Sequence, residues 1–123
     1  MKTVLIADDE PSARLLIQAT IESDEYTIVE AADGDEAWAL LQEHRPSVAL
    51  LDMQMPGLSG LELTRQIKAR PEAFSTTKVI LLMSKAQAAD GEAGVAAGAD
   101  QYLTKPFSPL ELMAMVERAV AAA

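Results

Sequence analysis

A doubly wound α/β fold, one parallel sheet with helices on both faces, is the fold class the sequence predicts. Two observations carry it. Short apolar runs alternate along the whole chain with longer segments of helical period. The runs at residues 48–51 and Lys78–Met83 are apolar without alternation, the pattern of strands buried on both faces. With 123 residues and no break in composition, one domain around a single sizeable core is expected.

Taken in order, Lys2–Ala7 is a short apolar strand stopped by Asp8, Asp9 and Glu10. Pro11 and Ser12 open a helix, because proline in the first turn gives up no needed hydrogen bond, and Leu15, Leu16, Ala19 and Thr20 line one face of it. Tyr26–Ala31 is partly β-branched and aromatic and alternates, which predicts a second strand nearer the sheet edge. Asp33, Gly34 and Asp35 form a turn and cap before a helix over 35–44, ended by Arg45-Pro46. The third strand, 48–51, runs into Asp52 and a loop rich in Gly and Pro, and a helix from Ser59 or Gly60 reaches about Arg70, where Pro71 forbids continuation.

Lys78–Met83 makes a fourth, central strand. A helix is expected over 86–97 with Gly98 as its C′ residue, then a short fifth strand over 100–103. Ser108 caps a closing helix that has Pro109 at its first position and ends near Ala121. Five strands flanked by five helices, the right-handed crossover rule and the order seen in flavodoxin-like folds together predict the strand order 2-1-3-4-5.

Composition narrows the function. The formal charge is −9, a field that repels polyanions, and no basic stripe offsets it, so direct nucleic-acid binding is not expected. The absence of cysteine removes disulfides, thiolate metal sites and a Cys nucleophile. The opening MKTVLIADDE is too short in its apolar run for a signal peptide, and no run approaches a membrane span, so a cytoplasmic protein with no membrane partner is expected. No repeat is present, and only the alanine-rich end is of low complexity.

In a parallel sheet all strand C-termini share one rim, so Asp8 and Asp9, Asp52, Ser84 and Lys105 converge although they are far apart in sequence. Three carboxylates gathered without a cation repel one another and raise each other's pKa. A hard divalent ion resolves that conflict, and carboxylates with a backbone carbonyl and water suit Mg²⁺. Lysine adds a mobile ammonium and serine a hydrogen bond, which beside a metal and a carboxylate complement a phosphoryl group. Asp52 is then the candidate nucleophile, forming an aspartyl phosphate.

Four motifs in order complete a pattern: ADDE after the first strand, LLDMQMPGLSG around Asp52, the serine ending LLMS, and GADQYLTKPF near the end. Over essentially its whole length the chain resembles the receiver domain of bacterial two-component response regulators. That resemblance implies Asp52 as phosphoacceptor, Asp9 as a direct Mg²⁺ ligand and Asp8 holding the metal mainly through water. It also implies that Gln54 gives its backbone carbonyl to the metal, Ser84 reads the phosphoryl oxygen, Lys105 pairs with phosphate, and the Lys105-Pro106 bond is cis. Tyr102 matches the aromatic that changes exposure on activation. The implied donor is a histidine kinase or histidine phosphotransfer protein. The output is an unnamed protein target reached through the face of the fourth helix, fifth strand and closing helix. The implied state is a monomer, with dimerisation after phosphorylation left open.

The chain departs from the family after Ser84, where a small residue is usual and Lys85 stands. A long cation there either screens the site, attracts donor and slows loss of phosphate, or points into solvent. Gly91 and Gly94 inside the predicted 86–97 helix each cost about 1 kcal/mol relative to alanine. That helix is either a loosely held switch element or a poor surface helix. His44, the only histidine, sits where a helix C-terminus favours it, which argues against a relay role. Trp38 packs in an amphipathic pattern with Ala37, Leu40 and Leu41, and the dispersed methionines fill gaps in the core. Arg14, one turn into the first helix, is a candidate contact for a kinase partner.

Three readings follow. The first is a phosphorylatable signalling receiver over 1–123, not a turnover enzyme, with no output domain in this chain, either natural or excised from a longer protein. The second is an unphosphorylated receiver-like interaction module, which predicts loss of acid-pair, acceptor or lysine residues that are all present. The third is a Mg²⁺-dependent aspartyl phosphohydrolase, which needs a general acid two residues past the nucleophile, where Gln54 cannot serve. Flavin binding is disfavoured because the first loop is acidic where a phosphate cradle needs Gly, Ser and free N–H groups.

Overall fold

In a computed structural model, which describes residues 2–89 and 98–123, five parallel strands form one sheet in the order β2-β1-β3-β4-β5. The strands are β1 Lys2–Ala7, β2 Tyr26–Ala31, β3 Val48–Asp52, β4 Lys78–Met83 and β5 Gln101–Thr104. The helices are α1 Pro11–Ile21, α2 Gly34–His44, α3 Gly60–Lys68, α4 Pro71–Phe74, α5 Lys85–Ala88 and α6 Pro109–Ala122. The predicted class and strand order are those observed, with β2 at one edge and the fully buried β3 in the middle.

Because successive strand side chains point to opposite faces, each central strand feeds two cores. Leu5, Ala49, Leu51, Val79 and Leu81 pack with Ala37 and Leu41 of α2 and Leu63 and Ile67 of α3. Val4, Ile6, Val48, Leu50, Ile80 and Leu82 pack on the other face with Ile17 and Ile21 of α1 and Leu112 and Val116 of α6. Trp38 and Leu40 are partly buried against the first core, as expected, and the Trp38 ring lies 5.9 Å from that of Phe74.

Helix starts follow local capping. Asp33 accepts the Glu36 N–H at the start of α2, Ser59 and Glu62 form a reciprocal capping box on α3, and Ser108 accepts the Glu111 N–H with Pro109 in the first turn of α6. Arg45 closes α2 in the left-handed region, at φ 44°.

The structure corrects the sequence reading at three places. Leu15 and Leu16 are 66% and 55% exposed and Ala19 is exposed as well, whereas Ile17 and Ile21 are the residues of α1 that reach the core. The two stripes have the same helical period, so only packing against the sheet selects between them. Pro71 ends α3, which finishes at Lys68, but also starts the short α4, since a proline at a first helical position loses no hydrogen bond. The helix expected from Ala86 begins at Lys85 with Ser84 as its cap. Residues 90–97 of that prediction, Gly91 and Gly94 included, lie outside the described residues.

Candidate functional site

The register of the sheet assembles the site. β1 and β3 pair Ala7 with Leu51, so the next residues, Asp8 and Asp52, leave adjacent strands side by side. β3 and β4 pair Asp52 with Leu82, and β4 and β5 pair Met83 with Thr104, which puts Ser84 and Lys105 one residue beyond the last rungs of the same rim. The Lys105 N–H donates to the Met83 carbonyl at 2.8 Å, fixing where that lysine leaves β5, and the Lys105-Pro106 bond is cis as expected.

The loop after β3 is pinned by close backbone approach. Gly34 N–H donates to the Pro56 carbonyl at 2.9 Å and Gly60 N–H to the Met53 carbonyl at 3.1 Å. A Cβ on Gly60 would lie 2.1 Å from the Asp52 carbonyl oxygen, and one on Gly34 1.7 Å from that of Leu58. Only glycine permits this loop to fold back onto the strand end.

Asp8, Asp9 and Asp52 each offer a carboxylate oxygen within 4.8 Å of the others. Asp8 is fully buried, Asp52 is buried and Asp9 is exposed. Lys105 Nζ sits 2.8 Å from Oδ2 of Asp8 and 3.5 Å from Oδ2 of Asp52. Asp8 Oδ1 accepts the Glu10 N–H at 3.0 Å, and Asp52 Oδ1 accepts that of Gln54 at 3.4 Å. Arg14, read as a partner contact, is engaged within the chain: its guanidinium donates to the Asp8 carbonyl and lies 3.6 Å from Glu30.

Burial pushes the Asp52 carboxyl up to about 6; Lys105 opposes that shift, the neighbouring Asp8 and Asp9 charges add to it, and the Gln54 N–H opposes it. Burial by itself would lower the Lys105 pKa, yet its hydrogen bond to Asp8 and the charges of Asp52 and Asp8 prevail and hold it above the usual lysine value. The pair therefore keeps Lys105 charged beside a carboxylate that is easier to protonate than an ordinary aspartate.

An open cleft of about 460 Å³ above these groups is lined by Asp9, Glu10, Asp52, Gln54, Met55, Pro56, Ser84, Gln87 and Lys105. Of the residues singled out from sequence, Asp8, Asp9, Asp52, Gln54, Ser84 and Lys105 thus share one site. Lys85 is exposed and does not line the cleft, and Tyr102 is half-buried against the core beside β4. Gln87 was missed; its only signal was its position three residues after Ser84, the spacing of a capping box.

The donor set fits a small hard cation: three carboxylates converge, one of them exposed, at the mouth of a cleft open to water. It equally fits an anion held between that cation and the Lys105 ammonium.

Comparison with known proteins gives the same answer from sequence and from shape. Residues 4–117 match the family described as the response regulator receiver domain. The chain is 40% identical over 116 residues to the phosphate regulon transcriptional regulatory protein PhoB of Pseudomonas aeruginosa, covering 94% of this chain and 50% of that protein. It is 40% identical over 114 residues to the transcriptional regulatory protein ResD of Bacillus subtilis, covering 93% and 46%. The chain thus spans about half the length of the curated relatives it matches. Among solved structures, the chemotaxis response regulator CheY4 of Vibrio cholerae superposes with a TM-score of 0.86 at 31% identity, covering 97% of this chain and 98% of that one. The receiver domain of the sensor histidine kinase PA1611 of Pseudomonas aeruginosa, solved with magnesium coordinated in its active site cleft, gives 0.85 at 31% identity and 98% coverage of both. With the acid cluster, the lysine and the strand order all in place, the chain belongs to the response regulator receiver domain family.

Proposed function

We propose that this chain is a phosphorylation-dependent signalling switch that accepts a phosphoryl group on Asp52 from a histidine kinase or histidine phosphotransfer protein. The observation that carries the reading is the convergence of Asp8, Asp9 and Asp52 within 4.8 Å, with the Lys105 ammonium between two of them. Asp8, Asp9, Asp52 and the Gln54 backbone carbonyl would hold Mg²⁺, Asp9 directly and Asp8 mainly through water. When bound, that ion neutralises charge on the transferring phosphoryl oxygens.

The chain's own residues do the rest. A carboxylate oxygen of Asp52 forms the new O–P bond as the P–N bond to the donor histidine breaks, and the bonding pair stays on the imidazole nitrogen. With a pKa near 6, Asp52 is ionised at neutral pH and available for attack. Lys105 moves its charge from a carboxylate to a phosphoryl oxygen, and the Ser84 hydroxyl donates to another. The change passes to a downstream protein through the face of the segment after Ser84, β5 with Tyr102, and α6.

The same residues argue against turnover. Gln54 stands two residues past the acceptor and offers no acid or base, so the aspartyl phosphate is a state to be held rather than an intermediate to be cleared. We therefore infer a cytoplasmic signalling receiver over the whole 123 residues, monomeric before phosphorylation, with neither nucleic acid nor membrane as a direct partner; among the described residues no helix is long and apolar enough to cross a membrane.

Incubation with Mg²⁺ and acetyl phosphate, followed by intact mass, tests the reading. Wild type is expected to gain one phosphoryl group and Asp52→Asn none. Equal labelling of both, or of neither, overturns it.

A further inference from the structure

Gln87 occupies two places at once. It lines the acidic cleft together with Asp52, Ser84 and Lys105. It also closes a reciprocal capping box with Ser84 at the start of α5: the Gln87 backbone N–H donates to Ser84 Oγ at 3.2 Å, and the Ser84 backbone N–H donates to Gln87 Oε1 at 2.8 Å. Among the described residues, the hydrogen bond of the Ser84 hydroxyl goes to the backbone N–H of Gln87.

We propose that Gln87 is a latch on Ser84: by holding that serine in the capping box of the resting chain, it sets how readily Ser84 turns to a phosphoryl group on Asp52. The proposal rests on the reading of Asp52 as phosphoacceptor. Ser84 has backbone angles of φ −75° and ψ 169°, the extended geometry of an N-cap, and its oxygen points to its own helix. Swinging Oγ by one rotamer step toward the cleft takes it out of line with the Gln87 N–H and leaves that donor uncapped. Capture of the phosphoryl group therefore works against the box, and the box biases the switch toward rest.

The side-chain half of the box is the adjustable part. Glutamate at the same position rebuilds it, since its carboxylate accepts the Ser84 N–H as the carboxamide does, whereas alanine removes it, leaves the Gln87 N–H to Ser84 Oγ bond in place, and loosens the Ser84 backbone on which the geometry of that bond depends. Gln87 is half-exposed and contributes no apolar burial to either core, so the substitution leaves the fold in place. It is a positioning residue: it acts on the phosphoryl group through Ser84.

The test measures binding of beryllofluoride, a non-covalent phosphoryl mimic, with Mg²⁺ to wild type and Gln87→Ala. It is paired with amide exchange at Ser84 in wild type, Gln87→Ala and Gln87→Glu without the mimic. The latch predicts about threefold tighter mimic binding for Gln87→Ala, in line with the loss of part of a helix cap. It also predicts Ser84 exchange about threefold faster in Gln87→Ala and at the wild-type rate in Gln87→Glu. Because Gln87 also lines the cleft, the gain is measured again in a Ser84→Ala background: the latch predicts that it disappears there, and a gain that persists comes from room made in the cleft and overturns the latch. Equal or weaker mimic binding by Gln87→Ala, or unchanged Ser84 exchange, overturns the latch while leaving the acceptor reading intact. If wild type neither binds beryllofluoride nor gains a phosphoryl group from acetyl phosphate, the acceptor reading fails and the latch falls with it.

Discussion

Lys105 Nζ stands 2.8 Å from Oδ2 of Asp8, across 97 residues of sequence, and 3.5 Å from Oδ2 of Asp52. The lysine is closer to the fully buried acid than to the candidate acceptor. In the resting chain it compensates a charge that has no access to water, and the acceptor has the weaker claim on it. Arrival of a metal or a phosphoryl group would release it from that duty.

Lys105→Ala should therefore cost stability as well as function. It leaves Asp8 buried without its ammonium, and because Lys105 is itself partly exposed the expected loss is about 2 kcal/mol, below the range for a fully enclosed pair. Urea unfolding measures it. Adding Asp8→Asn to the Lys105→Ala background should recover much of the loss, and simple additivity of the two substitutions would show that the pair is not coupled.

The raised Asp52 pKa makes a pH prediction. A carboxyl with a folded-state pKa near 6 and an unfolded value near 3.9 favours folding in its protonated form. That contribution is fully present below about pH 4 and is lost as pH rises through about 6. At neutral pH without metal the ionised Asp52 is a burden, so Asp52→Asn should be more stable than wild type by about 1–2 kcal/mol after allowing for solvent screening. Thermal unfolding at pH 7 should show the gain, and at pH 4 it should shrink toward zero. An equal gain at both values would assign it to something other than this carboxyl.

Metal binding should reverse that burden. Mg²⁺ at ten times its dissociation constant stabilises the folded chain by about 1.4 kcal/mol. The shift in melting temperature should vanish on chelation and be largely lost in Asp9→Asn, which removes the exposed member of the acid cluster. Calcium should bind less well, since its longer bonds and higher coordination number suit this three-carboxylate corner poorly.

Gly60→Ala tests the backbone cradle. A methyl there meets the Asp52 carbonyl at 2.1 Å, so either α3 moves or Asp52 does. A loss of about 2 kcal/mol or more is expected, together with slower phosphorylation by acetyl phosphate, read by intact mass. Because Gly60 starts a helix, where alanine is otherwise the better residue, a neutral or stabilising result would mean that the loop does not press on the acceptor.

Much of this was legible in the chain. Short apolar runs and their spacing gave β1 to β5, and Asp33, Ser59 and Ser108 announced their helices, because capping is a contact between residues three apart. Where two answers had the same local pattern, the sequence was silent. Leu15 and Leu16 have the same helical period as Ile17 and Ile21, and Pro71 ends one helix as readily as it starts the next.

By itself the sequence determined which residues reach the rim: strand ends are set by where apolar runs stop, and in a parallel sheet those ends must lie together. Asp8, Asp9, Asp52, Ser84 and Lys105 follow from that rule alone. Only the tertiary structure decided how they are paired. Which carboxylate Lys105 prefers depends on the register of β1, β3 and β5 and on the burial of Asp8. Likewise, that Gln87 lines the cleft while Lys85 does not depends on how the first turn of α5 sits against β4. Those are facts of distance and solvent access, set by contacts between residues that lie far apart in the chain.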